Sequence, residues 1–238
     1  MTRAPALAAL LLLGACAKPG KADERAGRTR EGFPVAARPV APTISPQWST
    51  EGARDQRRES DAVMAAAGVR RGMTVADLGA GEGYYTIRLA ARVGKGGRVL
   101  AEDIVPAYHD ALADRVYRDR LDNVSVKLGA PADPGLPQGS FDRIFMVHMY
   151  HEIAEPYEFL WRLRPALAPN GQVVVVDADR PTLAHGTPPA QLDCEFRAVG
   201  YALTRRIVIP QAGGYLALYH AAGERPAPRT IQPCPPAA

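Results

Sequence analysis

Clustered positive charge is missing where a nucleic acid would need it. Of 29 Lys/Arg and 25 Asp/Glu, 10 and 5 fall in residues 1–58, which leaves 19 and 20 in residues 59–238. The body of the chain is therefore nearly neutral, and the net charge of +4 belongs to its first quarter. A nucleic-acid groove needs cations gathered on the folded domain, so this balance argues against one. Cysteine is scarce as well. The chain has three, Cys16, Cys194 and Cys234, and none stands at a spacing that would hold zinc. The apolar run Ala4–Ala15 is too short to cross a bilayer as a helix. A dinucleotide fingerprint is also incomplete. The run Asp77-Leu78-Gly79-Ala80-Gly81-Glu82-Gly83 places Tyr84 where G-x-G-x-x-G requires its last glycine, which disfavours a nicotinamide oxidoreductase.

That run is nevertheless the most informative part of the sequence. Apolar residues flank Asp77, glycine then recurs at every second position, and Ile87, Leu89, Ala90 and Val93 begin a helical pattern. This reads as a buried strand turning sharply into a helix, with glycines where the backbone must take positive φ and admit a ligand. Strand and helix signals alternate through the following 100 or so residues. Strands are expected at 73–78, 98–103, 123–128, 141–147 and 172–177, and helices at 51–67, 83–92, 106–117 and 155–168. Such alternation predicts parallel strands with crossover helices. Two further strands, 202–209 and 215–220, are joined by Pro210-Gln211-Ala212-Gly213-Gly214 and read as an edge hairpin.

The glycine run resembles the first motif of the class I S-adenosylmethionine-dependent methyltransferases. Gly97–Ile104 resembles their second strand, ending in an acid, Ser140–His148 their fourth, and Leu163–Asp177 the helix, turn and fifth strand. The resemblance covers about two-thirds of the chain. It implies an α/β, Rossmann-like, doubly wound, seven-stranded and mostly parallel sheet with an antiparallel C-terminal edge hairpin. It also implies S-adenosyl-L-methionine as cofactor, held by Asp77, Gly79, Ala80, Gly81 and Gly83, with Asp103 on the ribose hydroxyls and His148 lining the pocket. Many such proteins carry an acid for the adenine just after the third strand. Here Gly129 is followed by Ala130, and Asp133 is the available substitute.

The segment His148-Met149-Tyr150-His151-Glu152 follows strand four, where the family places groups beside the transferred methyl. His151, Glu152 and Tyr150 are the candidates for orienting or deprotonating an acceptor. His148 and His151 invite a metal reading, but no third ligand is evident in the sequence near them, and no metal is expected. Asp177 and Asp179 are further pocket candidates, or else charges of a loop before Pro181. Cofactor chemistry of this kind suits a small-molecule acceptor, which the sequence does not identify. The alternative is a non-catalytic module that keeps a nucleoside-type pocket.

The start resembles a bacterial lipoprotein signal: Arg3, the apolar run, and Leu13-Gly14-Ala15-Cys16 as a lipobox, with Cys16 the lipidated residue. This implies a domain order of signal peptide 1–16, disordered Pro/Arg-rich tether 17–50, methyltransferase domain 51–222 and Pro-rich disordered tail 223–238, with Trp48 able to dock on the body. The expected location is the cell envelope, facing the periplasm on a lipid anchor, or the cytoplasm if the signal is spurious. Cys194 and Cys234 read as unpaired because Cys234 lies in the tail, with pairing as the alternative in an oxidising compartment.

Overall fold

The computed structural model describes residues 27–43 and 50–235. The signal and lipobox expected at 1–16, and Trp48, lie outside them. Seven strands form one sheet in the order β3-β2-β1-β4-β5-β7-β6. They are β1 (Thr74–Leu78), β2 (Arg98–Asp103), β3 (Val124–Leu128), β4 (Phe141–Val147), β5 (Leu167–Asp177), β6 (Tyr201–Ile209) and β7 (Gly214–Ala221). The first five run parallel, and β7 inserts antiparallel between β5 and β6. This is the fold expected from the sequence. β1 and β4 are central strands walled on both sides, which is why Val75–Leu78 and Ile144–Met146 are almost uninterruptedly apolar and buried.

The helices are α1 (Glu51–Gln56), α2 (Glu59–Ala66), α3 (Tyr84–Val93), α4 (Pro106–Arg118), α5 (Pro156–Leu163) and α6 (Pro189–Ala198). The single helix expected over 51–67 is two, because Arg58 takes φ +54°. The helix expected over 155–168 ends five residues early. Pro165 cannot continue it, and the chain passes through a 3-10 turn into β5 at Leu167. Chain reversal in strand order falls between β1 and β4, so the ligand cleft of such a sheet lies beyond the carboxyl ends of those two strands.

Two expectations of disorder do not hold. Residues 27–43, placed in the tether, pack on the domain without regular secondary structure. Phe33 is buried against Trp161 of α5, edge to face at 5.5 Å, and the Ala41 N–H donates to the His151 carbonyl at 3.1 Å. Arg38 is buried and donates to Glu195 of α6 at 2.8 Å. The tail is also seated. The guanidinium of Arg28 reaches the Ile231 carbonyl, Ile231 and Cys234 are buried, and Arg225 lies 3.5 Å over the Trp161 ring. Cys234 is bonded to Cys194 of α6. The unpaired reading of these two thiols is therefore corrected. Closing a loop of 40 residues this way stabilises by about 4 kcal/mol in the chain-entropy account.

Candidate active site

The turn after β1 is built as the glycines require. Gly79, Gly81 and Gly83 have φ of +63°, +53° and +86°. Each faces something different. A Cβ on Gly83 would strike Leu112 of α4 at 2.3 Å, and one on Gly79 would press on Met149 at 3.1 Å, whereas one on Gly81 would meet nothing within 4 Å. Gly83 is thus needed for packing, and Gly81 opens on free space. The Gly79 contact matters for a second reason. Met149 belongs to the segment leaving β4, so the glycine turn and the β4 exit share one rim.

Asp103, the last residue of β2, accepts from the Gly81 N–H at 2.8 Å and from the Val105 N–H at 2.9 Å, one on each carboxylate oxygen. These bonds fix the carboxylate against the glycine turn. Each oxygen keeps a second lone pair for a further donor. Asp77 is turned the other way, toward α3. It is buried and accepts from the Thr86 hydroxyl at 2.6 Å, and burial pushes its pKa up to about 6. Ala80 ties the turn to β2 by donating its N–H to the Glu102 carbonyl. Asp133 is engaged elsewhere: it accepts from the Gly135 N–H at 2.8 Å and pairs with Arg162 of α5 at 3.5 Å.

Glu102, beside Asp103, has a role that the sequence did not suggest. Its buried Oε1 has no hydrogen-bond partner among the described residues, and it stands where a Cβ on Gly129 would be, 1.4 Å away. Only glycine fits at 129. Burial, reinforced by Asp103, pushes the Glu102 pKa up to about 7, with Lys127 opposing. An acid whose pKa is higher folded than unfolded holds more protons in the native state, so stability falls as pH rises from about 4.5 to about 7. Glu102→Gln should then lie within about 1 kcal/mol of wild type near pH 5 and exceed it by about 2–3 kcal/mol above pH 7. Denaturant unfolding of both proteins at pH 5 and pH 8 checks this, and a constant difference across pH would refute it.

At the β4 exit, His148 takes φ +54°, a conformation rare for a residue with a side chain, and its N–H donates to the Val176 carbonyl at 2.8 Å. Burial lowers its pKa, against the pull of Asp177. The next turn, Tyr150–Glu152, is 3-10. It separates the three expected catalytic residues. Tyr150 points into the core, 0% exposed, donating its hydroxyl to Glu195 at 2.6 Å, with its pKa driven well above the ordinary value by burial. That removes Tyr150 from the reacting groups: its ring packs on Phe196, and it serves the fold.

His151 and Glu152 face a different set of partners. His151 Nδ1 lies 3.1 Å from both oxygens of Asp177, which is 0% exposed at the end of β5. The Thr187 hydroxyl and the Ala178 N–H also donate to Asp177, at 2.7 and 2.8 Å. The loop reading of Asp177 therefore fails, while Asp179 is exposed as that reading expected. A carboxylate on Nδ1 fixes the ring and directs Nε2 outward. His185, from the loop between β5 and α6, stands edge to face with His151 at 5.4 Å. Reading the sequence missed His185, since a lone histidine in a Pro-rich loop carries no signal. It missed Arg54 and Glu59 too. Arg54 lies 3.7 Å over the Tyr84 ring and bonds Glu59, and the charges of both act on His148.

Comparison with known proteins agrees with this geometry. Residues 75–171 match a family described as a methyltransferase domain. Over 124 residues the chain is 30% identical to a ubiquinone/menaquinone biosynthesis C-methyltransferase of Salmonella arizonae, covering 49% of this chain and 47% of that protein. Over 73 residues it is 42% identical to the nocamycin O-methyltransferase of Saccharothrix syringae, covering 31% and 26%. The chain thus spans less than half the length of these two relatives. Among solved structures, an S-adenosylmethionine-dependent methyltransferase from Aquifex aeolicus superposes with a TM-score of 0.62 at 23% identity, over 72% of this chain and 97% of that one. The folded unit thus has the fold of that S-adenosylmethionine-dependent methyltransferase, and residues 75–171 within it match the methyltransferase-domain family. Its residues fit that cofactor: a glycine turn open at Gly81, and a carboxylate locked beside it with lone pairs to spare.

Proposed function

We propose that this protein transfers a methyl group from S-adenosylmethionine to a small-molecule acceptor. The observation that carries the proposal is the shared rim, where Met149, two residues before His151 in the segment leaving β4, packs on Gly79. The cofactor supplies a methyl carbon already bonded to a positively charged sulfur, which leaves as a neutral thioether with the bonding electrons. The chain supplies orientation and a dry site. Gly79–Gly83 and Asp103 hold the cofactor, and Asp77 shapes the turn through Thr86. With Ala130 in place of an acid and Asp133 engaged by Arg162, the adenine side relies on backbone and apolar groups such as the exposed Ile104. His151 activates the acceptor, with Glu152 beside it.

Asp103→Ala should weaken S-adenosylhomocysteine binding by about 2–3 kcal/mol, because charge-assisted hydrogen bonds to hydroxyls are lost and the Gly81 N–H loses its anchor. Calorimetric titration of wild type and variant measures this. Failure of wild type to bind would favour the non-catalytic reading, and undiminished binding by the variant would remove the ribose assignment.

An envelope location is part of the same proposal. It rests on the order of residues 3–16 and gains support from the Cys194–Cys234 bond, since such bonds persist in oxidising compartments. Trapping free thiols at cell lysis should find both cysteines oxidised in the native host. Reduced thiols there would count against export.

A further inference from the structure

Two imidazoles and a carboxylate converge at the mouth of β4 and β5. One donor atom each from His151, Glu152 and His185 lie within 4.8 Å of one another. We infer that these three residues bind a divalent metal ion, which holds an oxygen atom of the methyl acceptor. The sequence pair His148 and His151 is not the pair that the structure selects. His185 supplies the missing donor from 34 residues further on, while His148 stands outside the group.

Three features beyond proximity support an ion here. The first is the Asp177 carboxylate on His151 Nδ1, held in turn by Thr187 and Ala178. Histidine ligands are commonly fixed by a carboxylate on the nitrogen that does not touch the metal, and this leaves Nε2 as the donor. The second is charge: Glu152 within the group and Asp177 behind His151 together offset a dication. The third is composition. Two nitrogens and one oxygen form the three-ligand set that leaves a coordination position open, as catalytic zinc and related borderline cations use. Ligand atoms around such an ion stand roughly 3.3–3.5 Å apart at bond lengths of about 2.0–2.2 Å, so binding draws the donors in by about 1 Å.

The open position defines the acceptor class. An alcohol, phenol or enol oxygen that coordinates the ion loses its proton to solvent water and keeps the electron pair. That pair then forms the bond to the methyl carbon as the carbon–sulfur bond breaks. The use of the ion rests on the methyltransferase reading; its binding does not.

The test uses the untagged full chain, stripped with a chelator and titrated with Co2+. The expected result is one ion per chain with visible ligand-field absorption, displaced by Zn2+. His185→Ala and Glu152→Gln should each weaken Co2+ binding at least tenfold. Asp177→Asn should weaken it about 10–100-fold through His151. His185 is only partly buried, in the loop between β5 and α6, so its variant tests the site even where Asp177→Asn fails to fold. Absence of saturable uptake, or uptake unchanged in His185→Ala, would overturn the inference. Titrating the same samples with S-adenosylhomocysteine separates the two readings. Nucleoside binding without Co2+ binding sinks the ion alone, and Co2+ binding without nucleoside binding upholds the ion while sinking the transferase.

Discussion

Arg38→Met should unfold at a temperature roughly 6–20 °C below wild type, equivalent to a loss of about 3–5 kcal/mol. The guanidinium is one of the most deeply buried charges among the described residues. It donates to Glu195 Oε1 at 2.8 Å and to the Ile153 carbonyl at 3.2 Å. Glu195 is 0% exposed, and also receives the Tyr150 hydroxyl and the Gln191 amide. Removing Arg38 leaves a carboxylate in the core with neutral donors only, and an unpaired buried charge is the costly case. Arg38→Met combined with Glu195→Gln should recover most of the loss, because the charge itself is then gone. A melting point for the single variant within 2 °C of wild type would show that residues 27–43 add nothing to the fold. The effect should extend to the site, since Arg38 and Ala41 hold the carbonyls of Ile153 and His151 on either side of Glu152.

That strap is also where reading the sequence failed, and the reason is physical. Periodicity reveals segments that bury a face through regular repeats. Residues 27–43 bury only a few anchors, Phe33, Arg38 and Ala41, spaced by no helical or strand period, within a composition typical of linkers. The seating of the tail escaped notice for the same reason, which is why the pairing of Cys194 with Cys234 stood only as the alternative. The sheet was legible because its central strands are walled on both faces and read as unbroken apolar runs. The glycine turn was legible because Gly79, Gly81 and Gly83 answer backbone demands that few other residues meet. The candidate rim was half legible. Proximity in sequence brought His151 and Glu152 into view and wrongly added Tyr150, which a 3-10 turn sends to the opposite side. Asp177 ended a strand and looked like a loop acid. Only the register of β5 beside β4 brings it under His151.

His151→Ala should lower turnover by about 10²–10⁴-fold, or about 3–5.5 kcal/mol of transition-state stabilisation, while S-adenosylhomocysteine affinity stays within about threefold of wild type. The proposed cofactor contacts lie in Gly79–Gly83 and Asp103, apart from the imidazole's own hydrogen bonds to Asp177. The imidazole, by contrast, is 2% exposed, held through Nδ1 by Asp177, and therefore able to present Nε2 in a single direction. A ring fixed this way helps only a group that must lose a proton, whether Nε2 takes that proton or ligates the ion that expels it. Asp177→Asn keeps the shape and removes the charge behind the ring, so it should fall between wild type and His151→Ala in turnover, again without loss of cofactor affinity. Single-turnover rates with a saturating cofactor and any acceptor found by screening phenols and enols provide the measurement. Equal rates for wild type and His151→Ala would mean that the acceptor arrives already nucleophilic and that proximity alone drives transfer. Loss of cofactor affinity with unchanged turnover would instead make His151 a wall of the cofactor pocket.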